Sequence, residues 1–189
     1  FNIVKFKSDE KGTAFFAAHP FIMEAGYVFK EDFFCESQED IELYNWQVNG
    51  KTFLISDGAS KYDPYHRGLN ENTEIIKKIK PQSDVITVEV HTILPEKKNG
   101  ARVAIGKSDS GEIALYTDNG NICYDDGKGG SGVVWENYKP NVWYEYKFEI
   151  DMTNHKCKFF VNSFKSVETS ISDKINMANY IKISSVSNQ

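Results

Sequence analysis

The sequence predicts an all-β chain folded as a two-sheet antiparallel sandwich. Apolar and polar residues alternate in many short runs, glycine-containing turns separate those runs, and helical periodicity is nearly absent. Six or more strands at this spacing bury their apolar sides only if two sheets pack face to face.

Taken in order, Thr13–Ile22 (TAFFAAHPFI) and Ala25–Phe34 (AGYVFKEDFF) are irregular strand candidates, with Pro20 favouring an edge or a bend. Thr52–Gly58 (TFLISDG) is a clearer strand after the turn Val48-Asn49-Gly50-Lys51. Gly58–Asn72 has the composition of a long polar-aromatic loop, and Glu74–Lys80 (EIIKKIK) that of a helical turn stopped by Pro81. Asp84–Leu94 (DVITVEVHTIL) sets Ile86, Val88 and Val90 on one face and Thr87, Glu89 and His91 on the other. Ala101–Gly106, Glu112–Thr117 and Asn121–Asp126 follow as a meander, broken at Asp109–Gly111 and Asp118–Asn121. Trp143–Asp151 and Lys156–Asn162 form a hairpin joined by Met152–His155, with Tyr144, Tyr146, Phe148 and Ile150 sharing a face. Asn179–Val186 is the last strand.

Composition excludes several classes. A length of 189 residues suits one domain with a real core. The net charge is -5, and the only arginines are Arg67 and Arg102, so no basic face offers itself to nucleic acid. No apolar run is long enough for a membrane span, and no signal-peptide pattern opens the chain. Phe1 stands first instead of Met, as expected of a segment excised from a longer, multidomain protein. Cys35, Cys123 and Cys157 are widely spaced and odd in number, which favours buried free thiols over a disulfide framework or zinc site. Twenty lysines and fifteen asparagines fit an AT-rich bacterial genome.

The order of motifs resembles a known family. EDFF comes first, then YNW, TFLISDG, DVITVEV and a glycine-punctuated meander, and WYEYKFEIDMTNHKCKFFVN completes the series. That last stretch is similar to the W-Y…D…V-N-G hairpin of concanavalin A-like, laminin-G-like jelly rolls, many of them carbohydrate-binding modules attached to bacterial glycoside hydrolases and polysaccharide lyases. The resemblance covers roughly Phe29–Val186. It implies a jelly-roll sandwich over residues 29–189, preceded by an N-terminal segment, 1–28, that is an extra strand or the end of a preceding region. Ser163 stands where the family has glycine after Val-Asn, and the chain stops before the family's final calcium-binding strand. Either the N-terminal segment supplies that strand or the metal site is absent. Where it is present, the resemblance places a structural Ca²⁺ near Glu31 and Asp32. It further implies a polysaccharide or oligosaccharide partner and an extracellular or cell-surface address.

A sugar site needs an aromatic platform and polar groups that bond hydroxyls in fixed directions. Strand alternation offers Glu89, His91, Arg102 and Tyr116, which line one polar face if their strands share a sheet; an ordinary solvated face with a cross-strand ion pair is the plainer alternative. Tyr62, Tyr65, His66 and Arg67 crowd a second candidate into the loop beside Asp63 and Pro64, where a structural loop is the alternative. Trp135 follows the glycine run Gly127–Gly132, which suits close approach of a ligand to backbone and a tryptophan to stack on it. Trp46 and Trp143 are expected in the packing. Asp57, Asp125 and Asp126 are acids without calcium-loop spacing, best taken as solvated. Catalytic signatures are lacking, although Glu149 and Asp151 share a side of their strand and Tyr65, His66 and Arg67 contain the residue types a lyase uses. The sequence therefore favours a non-catalytic glycan-binding module. A catalytic polysaccharide lyase or glycoside hydrolase, and a laminin-G-like protein-interaction domain, are the alternatives.

Overall fold

A computed structural model of the chain describes residues 4–8, 27–31, 42, 45–56, 65–94, 99–107 and 110–187. Fifteen strands lie among them. In chain order these are β1 (Val4–Ser8), β2 (Tyr27–Glu31), β3 (Trp46–Asn49), β4 (Thr52–Ser56), β5 (Tyr65–Leu69) and β6 (Thr73–Gln82). Then come β7 (Val85–Ile93), β8 (Asn99–Lys107), β9 (Gly111–Asp118), β10 (Asn121–Asp125) and β11 (Ser131–Trp135). The last are β12 (Trp143–Asp151), β13 (Lys156–Val161), β14 (Lys165–Ser170) and β15 (Ala178–Ser187). A six-stranded sheet runs β14-β13-β12-β7-β1-β2, a seven-stranded sheet runs β11-β10-β9-β8-β15-β6-β3, and β4 pairs with β5 alone. All pairings are antiparallel.

Period-two alternation becomes a two-layer core. Tyr144, Tyr146, Phe148 and Ile150 of β12 are buried against Ile86, Val88 and Val90 of β7 and the inward residues of β8, β9 and β15. Rings cross the layer: Tyr124 of β10 stacks on Phe159 of β13 (5.2 Å, 24°), and Trp135 of β11 meets Tyr144 edge-on (5.8 Å, 79°). Trp46 is buried as expected, whereas Trp143 lies half-buried on β12. Cys123 and Cys157 are free, buried thiols, and burial pushes both pKa values up, that of Cys157 well up. Cys35 and Thr13–Ile22 lie outside the described residues.

Tyr146 carries a hydroxyl into this core with no hydrogen-bond partner among the described residues, and burial pushes its phenol well above its ordinary pKa. Tyr146→Phe removes the lone polar group at constant shape. It is expected to stabilise the fold by about 1 kcal/mol, a rise in Tm of roughly 2–4 °C. A calorimetric Tm that falls instead would reveal a partner such as a buried water.

Two expectations are corrected. Glu74–Lys80 is not helical but lies within β6: Ile75 and Ile79 face inward and Ile76 outward, so the adjacent isoleucines serve opposite faces of one strand. Pro81 does not stop it, because it sits where the register against β15 shifts, between Tyr180↔Lys78 and Ala178↔Gln82. Gly58–Asn72 is not wholly loop, since Tyr65–Leu69 is β5, paired through backbone with β4 from Tyr65↔Ser56 to Leu69↔Thr52. Its YHRGL run lacks apolar alternation, so nothing local marks it as a strand.

The hairpins show how departures from pattern are absorbed. Asn119 and Gly120 both take positive φ (47° and 78°), as a two-residue turn between twisted strands requires. Asn162 and Ser163 do the same after β13 (52° and 56°), so Ser163 occupies the left-handed position usually given to glycine. The Ser163 hydroxyl donates to Glu145 Oε1 (2.8 Å), and Asn162 Oδ1 accepts from the Glu145 backbone N–H (2.8 Å).

Candidate functional site

The outward face of the seven-stranded sheet gathers a polar network. Val103 and Ile105 of β8 and Ile113 and Leu115 of β9 point inward, which turns Arg102, Glu112 and Tyr116 outward. Register places Arg102 opposite Tyr116, Gly106 opposite Glu112, and Tyr180 and Lys182 of β15 opposite Gly106 and Ala104. Small residues at Ala104, Gly106 and Ala114 leave a low floor over which the long side chains converge.

Arg102 Nη2 donates to Asp125 Oδ2 at 3.0 Å and lies 3.5 Å from Glu112 Oε2. Its guanidinium carbon is 5.6 Å from the centroid of the Tyr116 ring. The Tyr180 hydroxyl donates to Glu112 Oε1 (2.8 Å), and Lys182 Nζ pairs with the same oxygen. Burial raises the Glu112 pKa, but the bonds from Lys182 and Tyr180 and the charges of Lys182 and Arg102 outweigh it, so the pKa ends below its ordinary value. Burial, followed by the Glu112 hydrogen bond and charge, pushes the Tyr180 phenol far up. Beside this network opens a cleft of about 500 Å³, lined in part by Gln47, Lys78, Asn179, Tyr180 and Lys182. The Asn179 amide oxygen has no hydrogen-bond partner among the described residues.

The expected residues are not all brought together. Arg102 and Tyr116 are adjacent as anticipated, but Glu89 and His91 belong to β7 in the six-stranded sheet. Their faces were legible and their sheet was not, so His91 looks out from the opposite side of the sandwich. Trp135 is half-buried and packed against the core through Tyr144, so it is not the freely exposed platform anticipated. Tyr65, His66 and Arg67 lie on β5, opposite Ser56, Ile55 and Leu54, while Tyr62 is outside the described residues. Glu31 ends β2 opposite Val4 of β1, and Asp32 lies outside the described residues.

Asp125 joins the network, and Asp126, expected to be solvated, is buried. Asp126 Oδ1 accepts from the backbone N–H groups of Lys128 (2.9 Å) and Gly130 (2.8 Å), while Asp125 Oδ1 accepts from Gly127 N–H (2.9 Å). Gly127, Gly130 and Gly132 make room for protein, whereas a Cβ on Gly129 would meet open space. Gly127 has φ 74°, and a Cβ on it would lie 2.5 Å from Ile175; one on Gly132 would lie 2.8 Å from the Tyr124 ring. Tyr180 and Lys182 were missed, although their alternation with Ile181 and Ile183 marks them as outward residues. Glu149 pairs with Lys147 (2.8 Å). Asp151 accepts from the Asn154 side chain (2.7 Å) and backbone (2.8 Å), bonds that lower its pKa, opposite to what a general acid needs.

No protein-family model matches the chain, and no curated protein matches it. Solved structures do. A carbohydrate-binding module, CBM66 from Bacillus subtilis, superposes with a TM-score of 0.51 at 14% identity, over 75% of this chain and 90% of that one. The receptor-binding domain of botulinum neurotoxin type G superposes with a TM-score of 0.50 at 14% identity; 76% of this chain is covered, but only 39% of that one. At such identity a likeness establishes architecture. The chain folds as a two-sheet, concanavalin A-like jelly roll, resembling a carbohydrate-binding module in fold.

Proposed function

We propose that the chain is a non-catalytic carbohydrate-binding module of a secreted or cell-surface glycan-degrading protein, and that it holds its glycan on the outward face of the seven-stranded sheet. The observation that carries this reading is the network of Arg102, Glu112, Tyr180 and Lys182 at the edge of the 500 Å³ cleft. Directional donors and acceptors there suit hydroxyl pairs, and the Tyr180 ring in the cleft wall suits the apolar face of a sugar. Arg102 and Lys182 balance Glu112 and Asp125, which leaves Lys78 as an additional cation in the cleft lining. The proton affinities favour binding over turnover. The Tyr180 phenol is pushed up and the Glu112 carboxyl held down, so neither is poised to exchange a proton near neutral pH. A structural Ca²⁺ near Glu31 and Asp32 belongs to the same proposal.

Binding in an open cleft is expected in the micromolar-to-millimolar range, about -4 to -8 kcal/mol. The test is a glycan array in calcium-containing buffer, followed by titration calorimetry on any hit. Arg102→Met and Lys182→Met, which keep the stems, are expected to weaken binding by about tenfold, while Trp135→Phe leaves it unchanged. A blank array would sink the sugar-binding reading and favour protein recognition. Shortening of the bound glycan on overnight incubation would sink the non-catalytic part.

A further inference from the structure

The opposite side of the sandwich carries a second cluster that the glycan reading does not use. Val88 and Val90 of β7 are fully buried, so Glu89 and His91, two residues apart, both face outward. Across the ladder β12 sets Glu145 opposite His91 and Lys147 opposite Glu89. One ligand atom from each of Glu89, His91 and Glu145 lies within 4.8 Å of the others, and all three residues are half-buried. We propose that these three side chains form a binding site for a zinc-class divalent cation on the outer face of the six-stranded sheet.

The donor set and its support both favour this. Two carboxylates and one imidazole offer an oxygen-nitrogen set of charge -2, suited to Zn²⁺, whereas Ca²⁺ takes oxygen ligands alone. Ligand atoms around tetrahedral zinc sit about 3.3 Å apart for bonds near 2.0–2.1 Å. The triangle therefore closes through small carboxylate rotations, without moving either strand. Glu145 is also held from outside the cluster: the Ser163 hydroxyl donates to its Oε1, and Asn162 ties its backbone in both directions. That bond explains a serine at a left-handed turn position, φ 56°, because glycine there could not orient the carboxylate. Lys147, the cation opposite Glu89, is drawn away to Glu149 (2.8 Å) and lies 5.0 Å from the Phe160 ring centroid. Three protein ligands leave a coordination position open to water or to an anionic group of a partner.

Lys5 of β1 stands opposite Glu89 in register, on the side away from β12. The test uses the whole chain, stripped with EDTA and then dialysed free of it. Titration calorimetry with ZnSO₄ is expected to show one ion per chain with micromolar affinity. Co²⁺ is expected to give the visible absorption of a low-symmetry site. His91→Ala and Glu145→Gln each weaken zinc binding by about tenfold or more, and Glu168→Gln, on the same face but out on β14, does not. Apo melting curves check that both variants remain folded; should either unfold, the Co²⁺ spectrum of Ser163→Gly replaces it and is expected to shift. Absence of saturable binding up to millimolar zinc, or equal binding by the parent, His91→Ala and Glu145→Gln chains, overturns the proposal.

Discussion

Phe148→Ala is expected to lower the unfolding free energy by about 3–5 kcal/mol, the cost of removing a fully buried aromatic ring and leaving a cavity. Phe148 has no exposed surface and stands opposite Phe159 across the β12–β13 ladder. The two rings meet edge-on at 5.6 Å, and Phe159 in turn stacks on Tyr124 from the other sheet. The substitution therefore removes one ring of a three-ring column spanning the sandwich. For a chain of this size the loss corresponds to a fall in Tm of roughly 6–20 °C. Urea denaturation should show the midpoint moving with little change in slope. A loss below about 1 kcal/mol would mean that the sheets are held together elsewhere.

Asp126→Ala is expected to cost about 3 kcal/mol although it removes no apolar surface. Its carboxylate accepts two backbone N–H groups inside the β10–β11 loop, and truncation leaves both donors without their partner. The Asp126 backbone also bonds Gly130 O (3.0 Å) and accepts from Ser172 N–H (3.2 Å), so the loop is tied to the segment before β15. Asp126→Asn keeps an acceptor and loses only the charge, so about 1 kcal/mol is expected. Amide exchange at Lys128 and Gly130 should accelerate in the alanine variant. An alanine variant no less stable than a neutral surface substitution, within about 0.5 kcal/mol, would show that the glycines alone hold the turn. Because Asp125 bonds both Gly127 N–H and Arg102, damage here reaches the proposed glycan face.

Strand positions were legible wherever one face is buried and the other solvated. Trp143–Asp151 is the clearest case, with buried and half-buried residues strictly alternating. Legibility failed at β6, where EIIKKIK offers apolar residues to both faces and so imitates a helix. It failed at β5, whose pairing lies in backbone bonds that side-chain patterns do not record. The larger loss concerns which strands are neighbours. β7 pairs with β12 and β8 with β15, partners fifty or more residues apart, and no local run encodes such a choice. Outward faces could thus be assigned to Glu89, His91, Arg102 and Tyr116 while their sheets could not. The same gap hid Tyr180 and Lys182, which join Arg102 and Glu112 only once β15 is laid beside β8. The glycine run is ambiguous for another reason: close approach demands glycine whether the approaching atom belongs to a ligand or to the protein.

β14 terminates the six-stranded sheet, and its sequence KSVETS sets the terms on which one molecule can meet another. A bare strand edge invites a second chain to continue the ladder, the first step toward fibrils. Here the edge is six residues long, with Lys165 and Glu168 exposed and Val167 its single apolar side chain. A strand docking there would crowd those charges and gain little apolar contact. That disfavours stacking between copies packed side by side at high local concentration.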